Sequence, residues 1–158
     1  MSFKASALWM TVAVVLSLTF ASTRIYSVAL ARETVRQAVA LQTTFITAEE
    51  LKAKLSRNEP VTIIDVRSAN GLDSNNKIKG AFYVKLRRLK YRLSFAPLKD
   101  VPRDRDVVTY CACPNDEASV KAAQILRESG FKHVHVLRGG WVVWKKVNGQ
   151  IERMARGI

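Results

Sequence analysis

Hydrophobic residues along this chain occur in short runs that are separated by polar segments with helical spacing. The run at residues 61–66 is rich in β-branched side chains, and further apolar runs lie at 81–84, 107–110 and 134–137. Short, continuous apolar runs are typical of strands that are covered on both faces. The pattern therefore predicts four buried strands.

A first helix has a well-marked start. Thr47 and Glu50 have the spacing of a capping box, and Ile46 can pack on Leu51 across the first turn. These signals predict a helix from residue 48 to about residue 55.

A second helix is predicted between the third and fourth apolar runs. Ala118, Ala122, Ile125 and Leu126 share one face of it, and Gly130 ends it as a left-handed cap. Strand, helix and strand in this order imply a right-handed parallel crossover, so we expect an α/β domain with a central parallel sheet flanked by helices. Ligands of such sheets bind at the carboxyl ends of the strands.

The amino-terminal residues 1–25 are predicted to form a transmembrane or signal helix. No charged residue occurs from Ala5 to Thr23, and a helix of that length nearly crosses a hydrocarbon core of about 30 Å. Lys4 before the run and small residues after it also fit a cleavable secretory signal. A single-pass membrane anchor is the favoured interpretation, and a secreted or periplasmic protein after signal cleavage is the alternative.

A chain of 158 residues has room for one compact domain with an appendage. We divide it into the amino-terminal segment 1–25, a linker or stalk at 26–43, the α/β domain at 44–148 and a basic carboxyl-terminal tail at 149–158. The net charge of +13 is scattered, and no nucleic-acid-binding motif accompanies it, so nucleic acid is not an expected partner.

The densest basic group lies at residues 77–92, where no acidic residue occurs. Three interpretations stay open for it. The group forms a solvated face, contacts an anionic membrane surface near the anchor, or steers an anionic substrate.

Cys111 directly follows the apolar run 107–110 and precedes the second predicted helix. Loop N–H groups and the positive end of a helix lower the pKa of a cysteine in this position, which makes Cys111 a candidate nucleophile. The alternative is a small buried residue at a strand end. No structural disulfide to Cys113 is expected, because a bridge across one intervening residue closes a strained ring.

An ordered set of motifs over roughly residues 44–148 resembles the rhodanese-like family of sulfurtransferases. The resemblance implies that Cys111 takes sulfur from a donor, holds it as a persulfide and passes it to a thiol or cyanide. The motifs are the helix start at 46–51, Asp-x-Arg at 65–67, Ile-x-Gly-Ala at 78–81, Tyr110-Cys111 with the helix that follows, Gly139-Gly140 and Trp144.

The resemblance also implies a binding loop, whose N–H groups hold the anionic sulfur. It implies that Asp65 and Arg67 brace the sheet beside this loop, although an ordinary surface ion pair is the alternative. No cofactor and no metal are expected, and the expected partners are a small sulfur donor or protein persulfide and, through residues 1–25, the membrane. The loop residues are Ala112, Cys113, Asn115, Asp116, Glu117, Ala118 and Ser119.

This loop departs from the usual family pattern. It is about two residues longer, and Ala118 stands where an arginine is common, while Asp116 and Glu117 add negative charge and Pro114 removes an N–H donor. The Cys-x-Cys-Pro-Asn sequence resembles a membrane-associated subgroup of the family. A protein persulfide or another thiol is therefore favoured over thiosulfate as donor.

Other functions remain as alternatives. A phosphatase of the same fold is not expected, because Glu117 stands six residues after Cys111 and would repel phosphate. A tethered, non-catalytic binding module and a redox or metal-handling Cys-x-Cys protein stay open. Cys113 can resolve the persulfide, bind a soft metal or be inert, and His133 and His135 are interpreted as surface residues.

Overall fold

The computed structural model describes residues 43–68 and 75–154. The predicted transmembrane or signal segment 1–25 lies outside these residues, as does the predicted linker up to residue 42. Within the described ranges, no helix is long and apolar enough to cross a membrane.

The described chain alternates strands and helices, as the hydrophobic pattern predicts. Short 3-10 helices at Leu86–Arg88 and Leu98–Asp100 lie in the connection between the fourth and fifth strands. The strands are β1 (Thr44–Ile46), β2 (Val61–Asp65), β3 (Asn76–Ile78), β4 (Phe82–Tyr83), β5 (Asp106–Tyr110), β6 (His133–Leu137) and β7 (Ile151–Arg153). The helices are α1 (Ala48–Ser56), α2 (Leu89–Arg92), α3 (Glu117–Glu128) and α4 (Gly140–Lys146).

The central sheet has the strand order β1-β6-β5-β2-β4, and every neighbouring pair is parallel. The four predicted apolar runs are β2, β4, β5 and β6, so the prediction of a parallel α/β sheet is confirmed. β1 was not predicted, because three residues are too few to carry a strand pattern. Since β5 lies in the middle of the sheet, Cys111 leaves it at the central strand.

Two hydrophobic clusters cover the two faces of this sheet. Ile64 of β2 packs in the cluster that includes Leu126 of α3, whereas the preceding Ile63 packs with Leu51 of α1 and Trp144 of α4. Successive residues of a strand point to opposite faces, so α3 covers one face and α1 and α4 cover the other. Full burial of each aliphatic side chain contributes about 1.5–3 kcal/mol.

The predicted helix signals are confirmed. Glu50 N–H donates to Thr47 Oγ1 at 3.1 Å, and Thr47 N–H donates to the Glu50 carboxylate at 2.8 Å, which completes the capping box of α1. Ile46 and Leu51 pack in the same cluster. Gly130 follows α3 with a φ of +91°, the left-handed conformation that ends a helix.

The fold continues beyond the predicted boundary at residue 148. β7 pairs antiparallel with β3, with Ile151 opposite Ile78. Lys77 forms an ion pair with Glu152 across the same two strands. The predicted tail at 149–158 therefore contains the strand β7. A strand of three residues is too short to be predicted from its hydrophobic pattern.

Candidate functional site

The backbone of Cys111 is held by the start of α4. Trp141 N–H donates to the Cys111 carbonyl at 2.9 Å. Gly140 has a φ of +47°, and a Cβ atom there would collide with the same carbonyl. The Gly139-Gly140 pair, one of the motifs of the family resemblance, thus allows α4 to approach the backbone of Cys111 closely.

Asp116 connects the loop to the residue before α4 through a second hydrogen bond. It precedes α3 with a left-handed φ of 54°, and its Oδ2 accepts a hydrogen bond of 2.8 Å from Gly139 N–H. The side chain is buried. Asp116 does not line the cleft beside Cys111, and its carboxylate holds the loop against the turn before α4. Its membership of the substrate-binding loop stays a prediction.

Several other predicted loop residues do not line the cleft beside Cys111. Asn115 and Glu117 are exposed to solvent. Ser119 is fully buried, and its carbonyl accepts a hydrogen bond of 3.0 Å from Thr109 Oγ1. Of the predicted loop residues, the structure places Ala112, Cys113 and Ala118 at the cleft, and a binding role for the others stays a prediction.

Cys111 and Cys113 are joined by a disulfide bond. No structural disulfide was expected from this spacing in the sequence, and the structure contains a bridge within the loop. Asp116 N–H donates to the Cys113 carbonyl at 3.3 Å, which turns the loop back on itself. The two Cα atoms are 5.7 Å apart, inside the usual range of about 4.4–6.8 Å for disulfides.

Two loop amides point at these sulfur atoms. Cys113 N–H donates to Cys111 Sγ at 3.4 Å, and Ala118 N–H donates to Cys113 Sγ at 3.5 Å. From the sequence, the first turn of α3 was expected to face the Cys111 sulfur. In the structure an N–H of this turn donates to the Cys113 sulfur instead. Both sulfurs lie in an environment of N–H donors, which favours negative charge.

Asp65 and Arg67, at the carboxyl end of β2, form a buried ion pair. Arg67 Nε lies 3.0 Å from both carboxylate oxygens of Asp65, and its Nη2 donates to Asp65 Oδ2 at 2.7 Å. Both side chains are 0% exposed, which rules out the alternative of an ordinary surface pair. The Arg67 guanidinium also stacks 4.3 Å from the Trp141 ring, so the pair links the end of β2 to α4.

Tyr110, the last residue of β5, completes this buried group. Its hydroxyl donates to Asp65 Oδ2 at 2.8 Å and accepts from Ile78 N–H at 3.1 Å. Burial, reinforced by the nearby Asp65 carboxylate, raises the pKa of Tyr110 far above its usual value. The hydroxyl therefore stays protonated and remains a donor to Asp65 on the strand that leads into Cys111.

A cleft of roughly 640 Å³ opens above Cys111. Cys111 itself is only 2% exposed, whereas Cys113 is half-buried. No carboxylate lines the cleft in the part of the chain that the structure describes, and Lys85 and Arg87 do line it. The other lining residues are Val66, Arg67, Ser68, Leu86, Ala112 and Ala118.

Lys85 and Arg87 belong to the basic group for which substrate steering was one interpretation, but the sequence alone did not place them beside Cys111. Val84 N–H donates to the Asp65 carbonyl at 2.8 Å, so the chain leaving β4 starts beside the end of β2. The segments after parallel strands meet at one edge of a sheet. The signal in the sequence was a basic stretch without acidic residues directly after the predicted strand at 81–84. It was interpreted for the whole group 77–92, and not for the two residues that follow the strand.

Metal-binding side chains are sparse around this cleft. Among residues 43–68 and 75–154, no three His, Cys, Asp or Glu side chains are grouped so as to hold a metal ion. His133 and His135 lie on β6 and do not line the cleft. His135 approaches Asp106 at 3.9 Å, and burial lowers its pKa.

Comparison with known proteins agrees with this arrangement. The family model of the rhodanese-like domain matches residues 47–147, a range that contains α1, the Asp65–Arg67 pair, the Cys111 loop and α4. The chain belongs to the rhodanese-like domain family. As a rhodanese-like domain it shares the α/β fold with the central parallel sheet that the sequence predicted.

Relatives of this rhodanese-like domain include named sulfurtransferases. A sulfurtransferase of Allochromatium vinosum is 30% identical over 101 residues, which are 64% of this chain and 87% of that protein. A thiosulfate sulfurtransferase of Shewanella oneidensis is 32% identical over 95 residues, 60% of this chain and 86% of the other. A solution structure of a rhodanese-like domain from Anabaena is 31% identical, with a TM-score of 0.59, over 73% of this chain and 85% of that one. The homology supports a function of the sulfurtransferase type.

Proposed function

We propose that this protein is a sulfurtransferase in which Cys111 carries the transferred sulfur as a persulfide. The observation that supports this most directly is the position of Cys111. Its sulfur lies at the carboxyl end of the central strand and accepts a backbone N–H at 3.4 Å. The cleft beside it is lined by Lys85 and Arg87 and, among the residues that the structure describes, by no carboxylate. These features stabilise an anionic sulfur without a separate acid or base residue.

Transfer starts from the reduced loop, because a disulfide has no thiolate to act as nucleophile. With the Cys111–Cys113 bond reduced, the Cys111 thiolate attacks the outer sulfur of the donor. The sulfur–sulfur bond of the donor breaks, and the remainder leaves with the electron pair, as sulfite from thiosulfate or as a thiolate from a persulfide. An acceptor thiolate or cyanide then attacks the outer sulfur of the persulfide, and the Cys111 thiolate is released.

The charge of the cleft favours an anionic donor. Lys85 and Arg87 line it, whereas the carboxylates of Asp116 and Glu117 do not. Lys85 and Arg87, which line the same cleft as Ala118, therefore supply the positive charge that the loop loses by having Ala118 in place of an arginine. We propose thiosulfate or a persulfide anion as the donor class, with a thiol as the acceptor.

Two single-cysteine variants of the full-length protein test this proposal. Cys113→Ser keeps only Cys111, and Cys111→Ser keeps only Cys113. Each variant is reduced, freed of reductant and exposed either to thiosulfate or to glutathione persulfide, and its intact mass is measured before and after cyanide. We expect Cys113→Ser to gain one sulfur that cyanide removes, and Cys111→Ser to gain none.

Equal sulfur uptake by both variants would show that the assignment of Cys111 is wrong. Uptake by neither variant from either donor, with both proteins folded by circular dichroism, would favour a non-catalytic binding module.

A further inference from the structure

We propose that Cys113 is an internal acceptor, so that the protein reduces the sulfur it has taken up and releases it as hydrosulfide. This inference rests on the proposed function, since it requires a persulfide on Cys111. It adds a second activity, the thiol-dependent reduction of persulfide sulfur. In this activity the Cys111–Cys113 disulfide is the product of one turnover.

The disulfide itself is the main support. A Cys113 thiolate that attacks the inner sulfur of the persulfide must come within bonding distance of Cys111 Sγ, and the loop places the two sulfurs in that relation. With the disulfide formed, Trp141 N–H donates to the Cys111 carbonyl, Gly139 N–H donates to the Asp116 carboxylate, and the central sheet has all five strands. The product of the attack is therefore compatible with the contacts between the loop and α4.

The surroundings of Cys113 suit it to be the attacking thiolate. Its sulfur accepts the Ala118 N–H at 3.5 Å, in the first turn of the 12-residue helix α3. A helix amino terminus lowers the pKa of a thiol there. Cys113 is also half-buried while Cys111 is 2% exposed, so a reducing thiol from solvent reaches Cys113 more easily.

The step balances in atoms and electrons. The Cys113 thiolate forms a bond to Cys111 Sγ, and the bond between Cys111 Sγ and the outer sulfur breaks. The outer sulfur leaves with the electron pair and its proton as hydrosulfide, so this sulfur is reduced while the two cysteines are oxidised to the disulfide. Two equivalents of a small thiol such as glutathione then reduce the disulfide, are oxidised to their own disulfide, and restore both cysteines.

The test compares the full-length protein with its Cys113→Ser variant in a single turnover. Both proteins are reduced, freed of reductant and mixed with one equivalent of glutathione persulfide. Sulfide is measured with a sulfide-selective electrode, and the protein product by intact mass. The glutathione formed on loading is the same for both, so it serves as an internal control.

We expect the unmodified protein to release close to one equivalent of sulfide and to end with the mass of the disulfide. The Cys113→Ser variant is expected to retain the added sulfur and to release sulfide at least about tenfold more slowly. Cys113→Ala is expected to behave like Cys113→Ser, which separates loss of the thiol from any effect of the serine hydroxyl.

Two failures are distinguishable. If the unmodified protein holds its persulfide as long as Cys113→Ser does, Cys113 is no internal acceptor, although the sulfurtransferase proposal survives. If neither protein takes up sulfur from the donor, the proposed function fails and this inference fails with it.

Discussion

The two ends of the parallel sheet carry their charges in different ways. At the carboxyl end, beside Cys111, Asp65 and Arg67 form an ion pair whose side chains are both 0% exposed. At the amino end, Lys54 bridges Glu59 at 3.0 Å and Asp106 at 2.9 Å, and these three side chains are 29%, 34% and 29% exposed. Among the residues that the structure describes, buried charged side chains therefore lie only at the end that holds the candidate site.

This difference shows what the buried pair does. Removing two charges from water is costly, and a buried pair is rarely kept for stability alone. Here the pair is joined to Tyr110, the residue before Cys111, and to Trp141, whose N–H holds the Cys111 carbonyl. The amino-end group is expected to stabilise the fold weakly, whereas the contacts of the carboxyl-end pair lead to the backbone of Cys111.

The largest effect is expected from breaking the buried pair. Arg67→Met leaves the Asp65 carboxylate buried without its cation, and we expect a loss of about 3–5 kcal/mol in the free energy of unfolding. Lys54→Met removes the exposed cation at the other end and should cost about 1 kcal/mol or less. Urea unfolding of both variants measures the contrast.

A double variant sharpens this test. Asp65→Leu combined with Arg67→Met removes both charges, and it should recover part of the stability that Arg67→Met loses. Equal losses in Arg67→Met and Lys54→Met would mean that burial does not distinguish the two ends.

A smaller effect is expected from the contact between α4 and Cys111. Gly140 and Gly80 both have positive φ, but a Cβ on Gly140 meets the Cys111 carbonyl, whereas one on Gly80 meets nothing within 4 Å. Gly80→Ala should cost about 1–2 kcal/mol from backbone strain alone. Gly140→Ala adds a collision, so it should destabilise the fold more and also slow sulfur loading on Cys111. Similar unfolding and loading data for the two variants would argue against a fixed Cys111 backbone.

The exposed cations of the cleft should affect donor binding and not stability. Each contributes about 1 kcal/mol at close range in water, so the double variant Lys85→Ala/Arg87→Ala loses about 2 kcal/mol and should raise the KM for thiosulfate by roughly thirtyfold. The matched control is Lys90→Ala/Lys132→Ala, which changes the net charge equally at exposed positions that do not line the cleft.

Salt dependence separates a local effect from a global one. Increasing ionic strength should raise the KM of the unmodified protein toward that of Lys85→Ala/Arg87→Ala, because salt screens exposed charges. A KM shift of the same size in the control variant would assign the effect to net charge and not to the cleft.

The smallest effect concerns His135 at the amino end. Burial is the main cause that lowers its pKa in the folded protein, so the unfolded state binds a proton at higher pH. The resulting stability is complete above the unfolded value of about 6.5 and is lost as pH falls through the lower folded pKa. We expect His135→Gln to show a weaker decline in unfolding free energy below pH of about 6.5. Identical pH profiles for the two proteins would contradict this assignment.

Local signals in the sequence were enough for much of the fold. The Thr47–Glu50 capping box, the apolar runs of the central sheet and the Gly130 cap each depend on residues close together in the chain, and the structure contains all three. β1, β3 and β7 were missed because three residues carry too little pattern.

The site was harder to predict, because its parts depend on contacts between distant segments. The engagement of Asp116 with Gly139 N–H required the turn before α4 to lie against the loop. The role of Lys85 required β4 to pair with β2. The burial of the Asp65–Arg67 pair depends on Trp141, which packs against the Arg67 guanidinium from a distant part of the chain. None of these contacts has a signature in the spacing of residues.

The start of α4 provides a direct measure of how often the loop separates from it. Gly139 N–H donates to the Asp116 carboxylate and Trp141 N–H to the Cys111 carbonyl, so both acceptors belong to the loop. An amide exchanges its proton for deuterium only when its hydrogen bond opens. Exchange at these two positions therefore reports how often the hydrogen bonds between the Cys111 loop and α4 break, in the protein without sulfur donor or acceptor.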